Sequence, residues 1–196
     1  MSKFALNQQE RARTVTDSIH PDVKSILFSK EEIHEATLRI GKQISKDYQG
    51  EKVLLVTVLK GAFIFMADLA RCIDGDVEVD FMAVSSYGAE AKSSGVVRIL
   101  KDLNAPVEGR HVIIIEDILD SGLTLKYLLK NIKARGPLSI EIATLLFKEG
   151  KQQTRIDCKY IGLLCPDYFV VGYGLDYNER YRNLPYIGVL DESVYS

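Results

Sequence analysis

The residues best equipped for chemistry lie in one run, Val112-Ile113-Ile114-Ile115-Glu116-Asp117-Ile118-Leu119-Asp120-Ser121-Gly122-Leu123-Thr124. An apolar strand ends in the adjacent carboxylates Glu116 and Asp117. A third carboxylate follows at Asp120, and a Ser-Gly-x-Thr turn then opens a helix. A helix N-terminus presents unpaired N–H groups and the positive end of its dipole, both suited to a phosphate. Ionised carboxylates only accept hydrogen bonds, which suits sugar hydroxyls, and their hard oxygens suit Mg²⁺ beside a second phosphate group. Together these residues read as a site for a sugar phosphate. A plain helix cap would account for Ser121 and Gly122 but not for the acids before them.

The elements that must position this run alternate between strand and helix. Ser29 and Glu32 have capping-box spacing, and the helix they open places Ile33, Ala36, Ile40 and Ile44 on one stripe. Residues 53–59 are a near-continuous apolar run rich in β-branched side chains, as in a strand buried on both faces. A helix is expected over 62–73, a turn at Asp74-Gly75-Asp76 and a strand over 77–86. Residues 96–100 can pair with that strand as a hairpin across a polar loop. The central strand covers 111–116, and its helix spans about 122–134 with Leu125, Leu128, Leu129 and Ile132 inward. Further strands are expected at 140–147, 160–164 and 169–173.

This order implies an α/β fold with a mostly parallel sheet and right-handed crossovers. Ligands of such sheets bind beyond the carboxyl ends of the strands. Lys60, the Glu116–Asp117 pair and Lys148 all fall at such ends. Residues 1–28 show no firm periodicity and read as an arm or extension whose apolar Val23, Ile26, Leu27 and Phe28 can dock, with one domain over 29–196.

Composition narrows the function classes. The chain has 196 residues, with 25 basic against 27 acidic side chains and a net charge of −2. That balance argues against broad electrostatic binding of nucleic acid. The three cysteines, Cys72, Cys158 and Cys165, have no CxxC spacing and read as free thiols of a reducing compartment. No apolar signal core opens the chain and no apolar run is long enough to span a bilayer, so a soluble cytoplasmic protein is expected. His20, His34 and His111 lack ligand spacing, which disfavours zinc.

The acidic run resembles the phosphoribosyl-pyrophosphate signature of the type I phosphoribosyltransferases. Leu59-Lys60-Gly61, Ser86-Tyr87-Gly88 and Phe169-Val170-Val171-Gly172-Tyr173-Gly174-Leu175-Asp176-Tyr177-Asn178-Glu179-Arg180 extend the likeness to the hypoxanthine phosphoribosyltransferases of bacterial type. It runs over roughly residues 30–190 in the expected order, which makes it far more specific than a single short motif.

The resemblance implies a central sheet flanked by helices with a small hood, Mg²⁺ as cofactor, and a homodimer or homotetramer. It implies that Asp120 accepts a proton near the purine N7, and that Ser121, Gly122, Leu123 and Thr124 hold the 5′-phosphate. Glu116 and Asp117 would serve the ribose hydroxyls and the metal, and Asp176 would hold a metal near pyrophosphate. Lys60, Gly61 and Arg182 would bind pyrophosphate, with a cis peptide between Leu59 and Lys60. Lys148 would donate to the purine O6, Phe169 would stack on the ring, and the Val170 backbone would meet its edge. Ser86 and Tyr87 would belong to a lid. Leu123 stands where some relatives carry lysine, a feature of the bacterial subgroup.

The implied reaction moves a 5-phosphoribosyl group from 5-phosphoribosyl 1-pyrophosphate (PRPP) to a 6-oxopurine in purine salvage. Two alternatives stay open at this point. One is an RNA-binding, nucleotide-sensing regulator on the same fold. The other is a transferase for another base such as xanthine.

Overall fold

The computed structural model describes residues 19–86, 97–154 and 156–196. In sequence order the main elements are β1 (Val23–Phe28), α1 (Lys30–Asp47), β2 (Val53–Leu59), α2 (Phe63–Cys72), β3 (Val77–Ser86), β4 (Val97–Lys101), β5 (His111–Leu119), α3 (Leu123–Lys133), β6 (Ser139–Phe147), β7 (Tyr160–Leu164), β8 (Val170–Val171) and β9 (Ile187–Leu190).

Six strands form one sheet in the order β4-β3-β2-β5-β6-β7. All neighbours run parallel except β3 and β4, which pair antiparallel as the hairpin pattern suggested. Alternate residues of the central strands feed two cores. Val53, Leu55, Ile113 and Ile115 pack with Ile33, Ile40 and Ile44 of α1 and Phe65 and Leu69 of α2. Leu54, Val56, Val112 and Ile114 pack with Leu125, Leu128 and Ile132 of α3. Helices thus cover both faces, which is why these strands read as continuous apolar runs.

The chain passes from β2 outward to β3 and β4, then returns to place β5 on the other side of β2. The order therefore reverses between β2 and β5, the crevice where ligands bind in open α/β sheets. Lys60 leaves the end of β2, and Glu116 and Asp117 lie near the end of β5.

A second, antiparallel sheet has the order β1-β9-β8 and forms the hood. The dock suggested by Val23 to Phe28 is a strand pairing: Val23 lies opposite Leu190 and Phe28 opposite Ile187. Residues 23–28 are thus structurally part of the hood, and neither β1 nor β9 is foreseen by periodicity. The strand expected at 169–173 is reduced to Val170–Val171, because glycines at 172 and 174 with φ of 103° and 102° turn the chain away. The capping box at α1 is present, with Ser29 N–H donating to Glu32 Oε2 at 2.8 Å and Glu32 N–H to Ser29 Oγ at 3.2 Å.

Candidate active site

Strand β5 does not stop at the acids. It continues through them to Leu119, with Glu116 opposite Thr144 and Ile118 opposite Leu146 of β6. The sheet therefore fixes the backbone of both carboxylates. Gly122 then turns the chain at φ 76° as the N-cap of α3. An L side chain is disfavoured at that φ, and a Cβ there would also lie 2.5 Å from Ile156 Cδ1. Having no side chain, Gly122 leaves the first-turn N–H groups of α3 facing a cavity.

That cavity, about 290 Å³, is lined by residues 58–61 and 116–125. It gathers Lys60, Gly61, Glu116, Asp117, Asp120, Ser121, Gly122, Leu123 and Thr124 from segments that sequence alone leaves apart. The Leu59–Lys60 peptide is cis, as the resemblance implies. Gly61 is pressed against an acid: a Cβ on it would sit 1.8 Å from Asp117 Oδ2. Gly174 is pressed in turn against Gly61, since a Cβ there would sit 2.1 Å from the Gly61 carbonyl oxygen. The first contact joins the 59–61 turn to β5, and the second joins it to the loop that carries Asp176 and Arg182.

The acids at the cavity floor resist ionising together. Burial, then the neighbouring Asp117 charge, pushes Glu116 up to about 8. Burial also raises Asp117, against the hydrogen bond it accepts from Ile118 N–H at 2.8 Å and the attraction of Arg182. A desolvated pair of like charges is a donor set that a hard divalent cation would relieve. Asp176 does not join them in a closed cage: its oxygens meet Arg182 Nη2 at 2.8 Å and Glu179 N–H at 2.9 Å. Among the described residues no three His, Cys, Asp or Glu side chains come together as metal ligands. Two carboxylates with substrate oxygens completing the shell is the usual environment of Mg²⁺, so the residues present fit that ion.

Two basic groups stand at the far side of this cleft. Glu179 Oε2 lies 2.9 Å from Lys60 Nζ and 3.4 Å from Arg182 Nη2. Arg182 Nη1 donates to the Gly174 carbonyl at 2.8 Å, while its buried Nε has no hydrogen-bond partner among the described residues. The loop has φ of 50° at Asn178, 61° at Glu179 and 76° at Tyr181, a region costly for non-glycine residues. Asp22 holds it in place, accepting from Tyr181 Oη at 2.6 Å and from Arg180 Nη2 at 3.0 Å.

The third group surrounds Lys148, which directly follows β6 and is only 9% exposed. Its Nζ is 3.7 Å from Asp120 and 3.6 Å from Asp167. Phe169 just precedes β8 and is 41% exposed. Its ring stacks on Tyr195 at 4.8 Å and meets the edge of Tyr177 at 5.6 Å. Val170 is buried in β8. Sequence reasoning missed Asp22, Asp167, Glu179 and Tyr195 as neighbours of the site. Asp167 and Glu179 flank or fall within the quoted Phe169–Arg180 run, but nothing in their spacing indicates which cation each would meet. Of the lid pair, Tyr87 lies outside the described residues, as does the side chain of Ser86 at the end of β3.

A parallel sheet with an acid pair beside its reversal point and an open helix N-terminus defines a class of phosphoribosyl-binding proteins, and comparison with known proteins agrees. The Phosphoribosyl transferase domain family matches residues 26–178, and the chain belongs to that family. Its relatives narrow the branch. The hypoxanthine-guanine phosphoribosyltransferase of Mycobacterium avium is 51% identical over 180 residues, covering 89% of each chain. The bifunctional protein TilS/HprT of Listeria innocua is 52% identical over 92% of this chain, which spans 28% of that relative's length. A hypoxanthine phosphoribosyltransferase structure from Staphylococcus aureus superposes with a TM-score of 0.88 at 47% identity, covering 92% of this chain and 99% of that one. Within the family, the chain falls among the hypoxanthine phosphoribosyltransferases.

Proposed function

We propose that the protein transfers the 5-phosphoribosyl group of PRPP to N9 of hypoxanthine, guanine or both, giving IMP or GMP and pyrophosphate in purine salvage. One observation carries the reading. Lys60 after β2, the acid pair and phosphate-facing turn of β5, and Lys148 after β6 meet at the carboxyl ends of three adjacent strands, with Lys148 Nζ 3.7 Å from Asp120.

Each residue then has a role. The N–H groups and hydroxyls of Ser121, Gly122, Leu123 and Thr124 hold the 5′-phosphate. Glu116 and Asp117 accept from the ribose hydroxyls. Lys60, the Gly61 backbone and Arg182 bind the pyrophosphate group. Glu116 and Asp117, with Asp176, would hold Mg²⁺, which would supply positive charge against the leaving pyrophosphate. The C1′–oxygen bond to pyrophosphate breaks and the C1′–N9 bond forms, with oxocarbenium character between. Asp120 accepts the proton leaving N7. Fixing both substrates supplies much of the rate, and charge stabilisation at C1′ and pyrophosphate much of the rest.

Base choice rests on Lys148. Its ammonium donates to the O6 carbonyl of hypoxanthine or guanine and opposes the amino group that adenine carries there. Phe169 stacks on the base and the Val170 backbone meets its edge. A cytoplasmic location is supported by the free thiols of Cys72, Cys158 and Cys165. No helix among the described residues is long and apolar enough to cross a membrane.

The test is a spectrophotometric assay with Mg²⁺ and PRPP, offering hypoxanthine, guanine, xanthine, adenine and uracil separately to the wild type and to Lys148→Ala. The expected result is turnover of hypoxanthine or guanine with adenine rejected, and loss of that discrimination in Lys148→Ala. Preferential turnover of adenine or uracil would overturn the assignment of the base.

A further inference from the structure

The geometry points to Asp167 as a positioning residue that holds Lys148 for the base, separately from Asp120. The inference rests on the base-transfer reading above and concerns the same pocket.

A nearly buried ammonium needs compensating anions, or its charge is costly to keep dry. Lys148 has two at almost equal range, Asp120 Oδ2 at 3.7 Å and Asp167 Oδ1 at 3.6 Å. Both distances permit ion pairing but exceed a hydrogen bond, so neither carboxylate commits an Nζ–H donor. The ammonium is held electrostatically between two acids while its donors stay available to a third acceptor, such as a carbonyl oxygen of a ligand. An acid at hydrogen-bond distance would instead compete with that ligand.

The surroundings fix this arrangement. The Lys148 backbone is tied to the end of β5, its N–H donating to Leu119 O at 3.1 Å. The loop bearing Asp167 is tied to the end of β6 through Cys165 N–H and Phe147 O at 2.8 Å. Asp167 does not swing freely, because its other oxygen, Oδ2, lies 2.5 Å from Lys151 Nζ. The chain Lys151–Asp167–Lys148–Asp120 alternates in charge and ends on the acid proposed to take the proton from N7.

Two consequences follow. Asp167 keeps Nζ from closing on Asp120, so its donors stay free for the base O6. It also shares with Asp120 the role of counter-ion to Lys148. With Asp167 neutralised, Lys148 should collapse onto Asp120, and both the grip on the base and the preference for an O6 carbonyl should weaken.

The experiment is a double-mutant cycle on the full chain, using hypoxanthine, adenine and PRPP as substrates and comparing wild type, Asp167→Asn, Lys148→Met and the double variant. In Asp167→Asn the KM for hypoxanthine should rise about 5-fold, the hypoxanthine-to-adenine ratio of kcat/KM should fall, and the KM for PRPP should stay constant. In the Lys148→Met background the same substitution should have no further effect, and Asp167→Glu should restore most of the wild-type values. An unchanged hypoxanthine KM in Asp167→Asn would overturn the inference. So would an equal effect with Lys148 already removed, or a parallel rise in the PRPP KM. A folded wild-type protein that turns over no base would instead sink the base-transfer reading itself, so the two failures are distinguishable.

Discussion

Gly61 lies so close to the Asp117 carboxylate that a single added carbon would sit 1.8 Å from Oδ2. The contact joins the turn after β2 to the acid near the end of β5, across the reversal point of the sheet. Gly61→Ala must therefore displace Asp117 or the turn. Because small misplacements of a reacting group can cost about 100-fold, kcat/KM for PRPP should fall by roughly that much. Circular dichroism should show an intact fold. Wild-type kinetics in this variant would mean that the contact does not position the acid.

The acid pair should burden the free protein. Glu116 and Asp117 are adjacent, desolvated and mutually repelling. With its pKa raised to about 8, Glu116 must take up a proton on folding at neutral pH. Glu116→Gln removes that cost, so stability without ligand should rise by about 1–2 kcal/mol at neutral pH and by less toward about pH 4. Turnover should be lost in the same variant. A drop in stability would show instead that the ionised pair is well compensated.

Asp80 should do the opposite and support the fold. Its side chain is only 7% exposed. Burial alone would raise its pKa, but N–H groups of Asn104 and Phe81, each donating at 2.7 Å, and Lys101 hold it below the ordinary value. A depressed carboxylate contributes stability that is present above its unfolded pKa, about 3.9, and that is lost as pH falls through the folded value. Asp80→Asn should cost about 2 kcal/mol at neutral pH and flatten the loss of stability below about pH 4. Chemical denaturation between pH 3 and about pH 7 checks both, and parallel curves for the two proteins would refute the assignment.

Much of this architecture was legible from the chain. The doubly apolar runs that became β2, β5 and β6 could be read because helices cover both faces of the sheet. The capping box announced α1. The hood was implied by the resemblance, but its strands were not legible from periodicity, because β1 pairs with β9 from the opposite end of the sequence and β8 is only two residues long. No local pattern encodes such pairings. For the site, the acidic run was readable because its types and order are dense in one segment. Asp22, Asp167 and Glu179 were not, because each acts through a distant cation or hydroxyl that only the fold brings near.

Phe169 offers one further check on the base pocket. Its ring is half-open and backed by Tyr195 at 4.8 Å. Aromatic contacts of this kind are worth about 0.5–1.5 kcal/mol beyond area, so Phe169→Leu should raise the hypoxanthine KM about 3- to 10-fold. The PRPP KM should remain as it was. If PRPP binding weakened and base binding did not, the ring would belong to a different part of the cleft.

The central claim is a phosphoribosyl transfer, and ³¹P NMR of the wild-type protein with PRPP and Mg²⁺ tests it most directly. Adding hypoxanthine should convert the PRPP signals into those of IMP and pyrophosphate in equal amounts, with negligible change before the base is added. PRPP left intact by folded protein in the presence of hypoxanthine and guanine would contradict the account.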